Sequence, residues 1–236
     1  MRLDKFISVN SAYSRNEIRI AAKRGKISVN GVTERRFDVQ ITPEDKILIY
    51  DTPIYEIGNV YLLLNKPKGV LSASTDKSKQ TVMDIIPQRY QHMDLFPVGR
   101  LDKDTTGLLI ITNDGEFAHK AISPKNDVPK CYLVELDGEV KSDLISEFEK
   151  GVVLADGTCC KEAKLEIIGT NTAKLTITEG KYHQVKRMFG VFGLGVNNLH
   201  RLSIGDLILP ESLDFGESIE VSEIEIMKKV LKTAYY

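Results

Sequence analysis

The sequence predicts an α+β protein in two parts. Three observations carry that reading. Residues 1–50 hold a segment of helical period followed by alternating apolar and polar residues around an Asn-Gly pair. Residues 51–59 are polar and carry a proline and a glycine, the composition of a linker. Beyond them, apolar or alternating runs of strand length are interspersed with capped helical segments. The expected division is a small module with its linker, residues 1–58, and a larger domain, residues 59–236. A chain of 236 residues is long enough for each part to bury its own core.

Within the first part, Ser14-Arg15-Asn16-Glu17 fits a capping box and opens a helix that should run to Gly25. Ile18, Ala21 and Ala22 form its packing stripe, while Arg15, Arg19 and Lys23 line one flank. Ile20 falls off the stripe. Ile27-Ser28-Val29 leads into Asn30-Gly31, a strong hairpin signal, and Lys46 to Tyr50 supplies a further strand. Charge is distributed unevenly behind a net value of -1. Residues 1–36 carry nine Lys/Arg against three Asp/Glu, and residues 211–236 carry six acids against three lysines. A basic cluster at one end is a footprint of polyanion binding, because it releases phosphate counterions. Arg2-Leu3-Asp4-Lys5-Phe6, Ser14-Arg15, the basic helix and Ile27-Ser28-Val29-Asn30-Gly31 together resemble the S4 RNA-binding module.

The composition, 42% hydrophobic and 28% charged, is that of an ordinary globular protein. No apolar run approaches the roughly 20 residues that span a bilayer, and the start lacks a signal-peptide core, so a cytoplasmic protein without a membrane partner is expected. Cys131 stands alone beside the adjacent Cys159 and Cys160, a pattern that fits neither a disulfide framework nor a zinc site. No metal is expected.

The larger domain opens with Val60 to Leu64, an apolar strand that stops at Asn65-Lys66-Pro67-Lys68-Gly69, where Lys66 and Lys68 could face phosphate. Thr81 to Ile86 reads as a short helix ended by Pro87. Leu108 to Ile111 is a buried strand, and Asn113 or Asp114 can cap a helix through Lys120. Lys130 to Leu136 is a strand with Tyr132, Val134 and Leu136 on one face. Ser142 to Lys150 is a helix, followed by strands at Glu162 to Ile168 and Ala173 to Thr178. In the helix expected over Tyr182 to Phe192, Val185, Met188, Phe189 and Phe192 form an apolar face, with His183, Lys186 and Arg187 opposite. No acid occurs from Lys181 to Arg201, whereas a merely solvated face usually mixes signs. Strands near Val196 to Leu209 and a helix opened by Ser222-Glu223-Ile224-Glu225 complete the chain.

The densest chemistry lies in Pro97 to Gly107, which places a glycine, an arginine, two carboxylates and two hydroxyls directly before a buried strand. On an extended segment Asp102 and Asp104 would point the same way, roughly 6 to 7 Å apart, so a paired-carboxylate glycosidase is one reading. Asp-x-Asp is common in loops, and the other reading gives Asp104, Thr105 and Thr106 a framing role through local hydrogen bonds.

Gly99-Arg100-Leu101-Asp102 with Thr105-Thr106-Gly107-Leu108-Leu109, then Lys130-Cys131-Tyr132, then Glu179 to Met188, resemble the RsuA branch of the pseudouridine synthases. With the S4-like module in front, the resemblance covers nearly the whole chain. It implies a catalytic domain built on a mixed, largely antiparallel sheet flanked by helices. It also implies isomerisation of an RNA uridine without metal or cofactor: the base is detached at its glycosidic bond, turned, and rejoined through carbon. Asp102 takes the place of the catalytic carboxylate, Tyr132 that of the active-site tyrosine, and Lys186 that of the cation paired with the aspartate, where sister branches place arginine. Arg100 fills the position vacated by the flipped base. His183 and Arg187 are expected on RNA phosphates, with Lys66, Lys68, Arg15, Arg19 and Lys23. Tyr182-His183 and Leu199-His200-Arg201 look more like the small-subunit enzyme than its large-subunit relatives. The expected substrate is therefore 16S rRNA, at the branch's uridine 516 site, within an assembling small subunit and with the enzyme a monomer. A 23S rRNA enzyme of the same family and a non-catalytic assembly factor are the alternatives; the factor fits less well because Asp102, Tyr132 and Lys186 are all present.

Overall fold

The computed structural model describes residues 1–91 and 93–233, which divide into two compact units: residues 1–59 with 87–95, and residues 60–86 with 96–233. Among them no helix is long and apolar enough to cross a membrane.

In the first unit, helix α1 (Leu3–Val9) packs on α2 (Arg15–Lys23), and strands β1 (Ile27–Val29), β2 (Val32–Thr33), β3 (Ile47–Ile49) and β4 (Thr52–Ile54) form a sheet in the order β2-β1-β3-β4. The capping box of α2 is complete: the Ser14 hydroxyl accepts from the Glu17 amide, and the Glu17 carboxylate accepts from the Ser14 amide. The helix stripe closes the core, where Ile18, Ala21 and Ala22 meet Leu3, Ile7, Ile27, Ile47 and Ile49. Ile20, off that stripe, is exposed. Asn30 and Gly31 turn the hairpin at φ 52° and 81°, as its two left-handed positions require. The polar stretch after Tyr50 is structured at its start, because Thr52–Ile54 pairs with β3 as an edge strand, where Pro53 costs no ladder bond on the open side.

The second unit contains β5 (Tyr61–Lys66), β6 (Phe96–Pro97), β7 (Thr106–Thr112), α3 (Gly115–Ile122), β8 (Lys130–Leu136), α4 (Asp143–Glu149), β9 (Lys164–Gly169), β10 (Thr172–Ile177), α5 (Gln184–Val191), β11 (Val196–Ile204), β12 (Leu207–Ile208), β13 (Ser218–Glu220) and α6 (Glu223–Leu231). Its main sheet runs β13-β5-β7-β11-β8-β10-β9, with β6 beside β7 and β12 beside β11. Every neighbouring pair is antiparallel except β7 with β11. The sheet is thus mixed and largely antiparallel, as expected. β5 is buried along its whole length and β7 nearly so, which explains their unbroken apolar sequences. On one face, Tyr61, Leu63, Leu108 and Ile110 pack against Phe117 and Ala121 of α3 and Ile226 and Val230 of α6. Val185, Met188 and Phe189 bury one side of α5, and the Phe189 ring lies tilted against Phe148 of α4, centroids 4.9 Å apart.

The parallel pair fixes where loop meets sheet. Gly107 faces Arg201 across it, and a Cβ at Gly107 would lie 2.3 Å from the Arg201 carbonyl oxygen and 2.6 Å from its nitrogen. The backbone there also has φ +102°, a conformation that L side chains rarely adopt. Gly107→Ala should therefore cost about 3 kcal/mol or more, since overpacking and backbone strain act at one point. Urea unfolding of the two proteins measures it.

Candidate active site

The loop between β6 and β7 begins at Val98 and ends at Thr105, and it is held from below. Lys66, the last residue of β5, is fully buried and directs its ammonium at the carbonyl oxygens of Asp102 (3.1 Å), Lys103 (3.3 Å), Thr105 (2.9 Å) and Pro67 (3.1 Å). Burial pushes its pKa down to about 8, although Asp104 and Asp102 favour the ion. Ser72 both donates to the Leu101 carbonyl (2.9 Å) and accepts from the Leu101 amide (3.1 Å), while the Gly69 amide donates to the Lys103 carbonyl (2.7 Å). The expectation that Lys66 faces phosphate is corrected: the side chain points inward, where it donates to the Thr105 and Pro67 carbonyls and adds a second donor to those of Asp102 and Lys103. Lys68 is exposed.

With its backbone fixed, the loop turns Asp102 toward a cleft of about 910 Å³. The segment is a turn closed by the Thr105 amide on the Asp102 carbonyl (3.1 Å), not an extended strand, so Asp102 and Asp104 do not form a carboxylate pair. Asp102 Oδ1 lies 3.4 Å from His183 Nε2, and Asp104 Oδ2 lies 2.6 Å from Lys186 Nζ. The assignment of Lys186 as the partner of Asp102 is corrected accordingly. An ammonium is a point charge with no fork to span both carboxylates, and here it settles on the second. The Lys186 hydrogen bond holds the Asp104 carboxyl below its ordinary range.

The opposite wall starts at Glu179, which is buried and accepts from the Lys161 amide (3.0 Å), the Gln184 amide group (2.8 Å) and the Lys181 ammonium. Burial would raise its pKa, but these donors outweigh burial and keep the carboxyl low. Gln184 is the first residue of α5, so the anchor sets where the helix starts. His183 therefore lies outside the helix, in its N-cap position with a left-handed backbone (φ 48°), and not on the basic face where the periodicity puts it. Its ring stacks on Tyr182, centroids 3.9 Å apart. Arg187 is engaged by the Asp156 carboxylate (2.5 Å) and the Tyr182 carbonyl (3.3 Å), so a phosphate would have to compete with Asp156.

Tyr132 of β8 forms the floor. It is 7% exposed and pairs across the sheet with Arg201, whose Nη1 lies 3.5 Å from the tyrosine oxygen, a long contact. Arg201 Nε donates to the Leu108 carbonyl at 2.7 Å, while Nη2 is buried without a partner. Nearby, Lys130 donates to the Val128 carbonyl, and burial pushes its pKa down to about 8. A recess of about 80 Å³, which shares Arg100, Asp102, Tyr132 and His183 with the cleft, is also lined by Thr105 and Lys186, so three distant segments converge. Arg201 was unassigned by sequence reasoning, although its place two residues after buried Leu199 on β11 marks an inward position. Arg15, Arg19 and Lys23 lie exposed on α2 of the first unit, with the Arg19 guanidinium 5.0 Å from the Phe37 ring centre.

Residues 60–190 match the family model described as RNA pseudouridylate synthase. The chain belongs to the RNA pseudouridine synthase family. It is 39% identical to the ribosomal small subunit pseudouridine synthase A of Haemophilus influenzae, over 98% of this chain and all of the relative. It is also 37% identical to the protein of that name in Escherichia coli, over 98% of this chain and all of the relative. An uncharacterised RNA pseudouridine synthase of Bacillus subtilis is 42% identical over 96% of this chain and 97% of the relative. A crystal structure of a pseudouridylate synthase matches with a TM-score of 0.70 and 38% identity, covering 98% of this chain and all of that one.

Two tests follow from this geometry. Lys66→Met removes the ammonium that the Thr105 and Pro67 carbonyls share with those of Asp102 and Lys103 and should destabilise the second unit by about 2 to 4 kcal/mol, measured by urea unfolding. For the ion pair, the Asp104 carboxyl is depressed in the folded state, so its stabilising contribution is present above the unfolded pKa and disappears as pH falls through the folded value. In Lys186→Met the Asp104 carboxyl titration, followed by carboxyl-carbon NMR, should move upward toward 3.8.

Proposed function

We propose that this enzyme isomerises a uridine of 16S rRNA, with Asp102 as its catalytic residue and the uridine 516 site as its target. The observation that carries the catalytic assignment is the recess itself. Asp102, presented by a backbone pinned on Lys66, shares one small cavity with Tyr132 and Lys186. The reaction breaks the C1′–N1 bond of the uridine, joins C1′ to C5, removes the C5 proton and returns a proton to N1, so atoms balance without any added reactant. A carboxylate can meet either the sugar or the ring during this exchange, whereas a tyrosine offers a ring face for the extruded base and a hydroxyl near the proton to be moved. A uridine must first leave its stack at a cost of a few kcal/mol, and Arg100, exposed at the rim, has the planar group to take its place.

The small-subunit assignment is supported by the names of the relatives from Haemophilus influenzae and Escherichia coli, each matched over its full length. In this reading the first unit is an S4-type module, whose two helices and exposed Arg15, Arg19 and Lys23 bind phosphates of the RNA. Lys68, His183 and Arg187 add contacts around the cleft. The enzyme works in the cytoplasm, as a monomer, on rRNA within an assembling small subunit.

Asp102→Asn should abolish pseudouridine formation while leaving folding intact, because the side chain is part-exposed and its contact to His183 is long. Site-resolved pseudouridine mapping of both rRNAs, in a strain lacking the gene and complemented with either protein, decides the point. Modification restored by Asp102→Asn would remove the catalytic assignment, and a signal that disappears from 23S rRNA would remove the substrate assignment.

A further inference from the structure

The recess and the wider cleft share His183, but Tyr182 lines only the cleft. Tyr182 is 73% exposed, one of the most exposed large hydrophobic side chains described. One face of its ring is covered by His183, at 3.9 Å between centroids and 19° between planes. The same imidazole turns its edge to Asp102, with Nε2 3.4 Å from the carboxylate. This arrangement depends on a left-handed backbone at His183, a conformation costly for a residue with a Cβ, and such strain is tolerated where the surrounding structure enforces it. Here the enforcement is visible. The Lys181 amide donates to the Gln184 side chain at 2.9 Å, and Gln184 is itself held by buried Glu179, so the turn carrying Tyr182 and His183 is tied at both ends.

A flat aromatic ring, rigidly backed and lining a cleft, suits a nucleobase, since every base has a π-face, and the segment that carries it, Lys181 to Arg201, contains no acid. We infer that the Tyr182–His183 stack is a nucleobase subsite, and that it receives a nucleotide adjacent to the target uridine while the target itself enters the recess beside Tyr132. The inference rests on the functional reading above and adds to it an outer subsite selective for a base, with no requirement for which base.

The test uses the full-length enzyme and a small-subunit rRNA fragment containing the mapped target, intact or with an abasic residue at either flanking position. With intact RNA, Tyr182→Ala should raise KM about tenfold with little change in kcat, and Tyr182→Phe, which keeps the ring, should restore the wild-type KM. For the wild type, one of the two abasic fragments should show a similar rise in KM, and on that fragment Tyr182→Ala should show no additional loss. Equal KM values for wild type and Tyr182→Ala on intact RNA would overturn the subsite. So would a Phe variant as impaired as Ala, or losses that multiply in the double combination. If wild type forms no pseudouridine on any intact small-subunit fragment, the functional reading fails first and the subsite with it. An active wild type that is insensitive to Tyr182 removes the subsite alone.

Discussion

One buried cation organises the site. Lys66 reaches from the end of β5 to four carbonyl oxygens, three of them on the loop that carries Asp102. Placing an ammonium where water does not reach is expensive, and its pKa near 8 reports that expense. The cost is offset only because the carbonyls also need donors. Without the lysine the Thr105 carbonyl would lose its donor and those of Asp102 and Lys103 would keep just their backbone partners, and the lysine without the loop would be an uncompensated buried charge. Each therefore makes the other tolerable, and together they hold the loop in a single form.

That mutual dependence explains why the Asp102 loop is tied to the least adaptable part of the sheet. β5 and β7 are the most continuously buried strands, and β7 pairs in parallel with β11 at a point where only glycine fits. Arg201 on β11 then lies beside Tyr132 on β8, so loop, cation and tyrosine are referred to one rigid frame of adjacent strands. Precision in the recess is set by this frame rather than by contacts within the recess, most of whose lining groups are held from behind.

Legibility from the sequence followed the physics of each element. Helix α2 and strand β8 showed in periodicity, because a single buried stripe decides each of them. The motif around Asp102 was visible as a concentration of functional groups. Lys66 was not readable as a buried residue, since lysine beside proline and glycine looks like a surface turn and the carbonyls that claim it lie 36 to 39 residues away. His183 was misplaced for a similar reason. Helical spacing fits it, but the start of α5 is decided by Glu179 and Gln184, side chains whose pairing the period does not record. Partner choice was equally hidden, as Asp102 and Asp104 are two residues apart and only the turn between them determines which one Lys186 meets.

That choice has a chemical consequence. A carboxylate clasped at 2.6 Å by an ammonium has one oxygen committed to a strong, charge-assisted hydrogen bond, and this is the situation of Asp104. Among the described residues the Asp102 carboxylate has the longer contact to His183, so its oxygens stay open on the recess side. Lys186 nevertheless lines the same recess, where its charge bears on Asp102 through space without occupying it. Asp104 thus acts as a rest for the cation. It keeps the lysine at the site and leaves both oxygens of Asp102 clear of the ammonium.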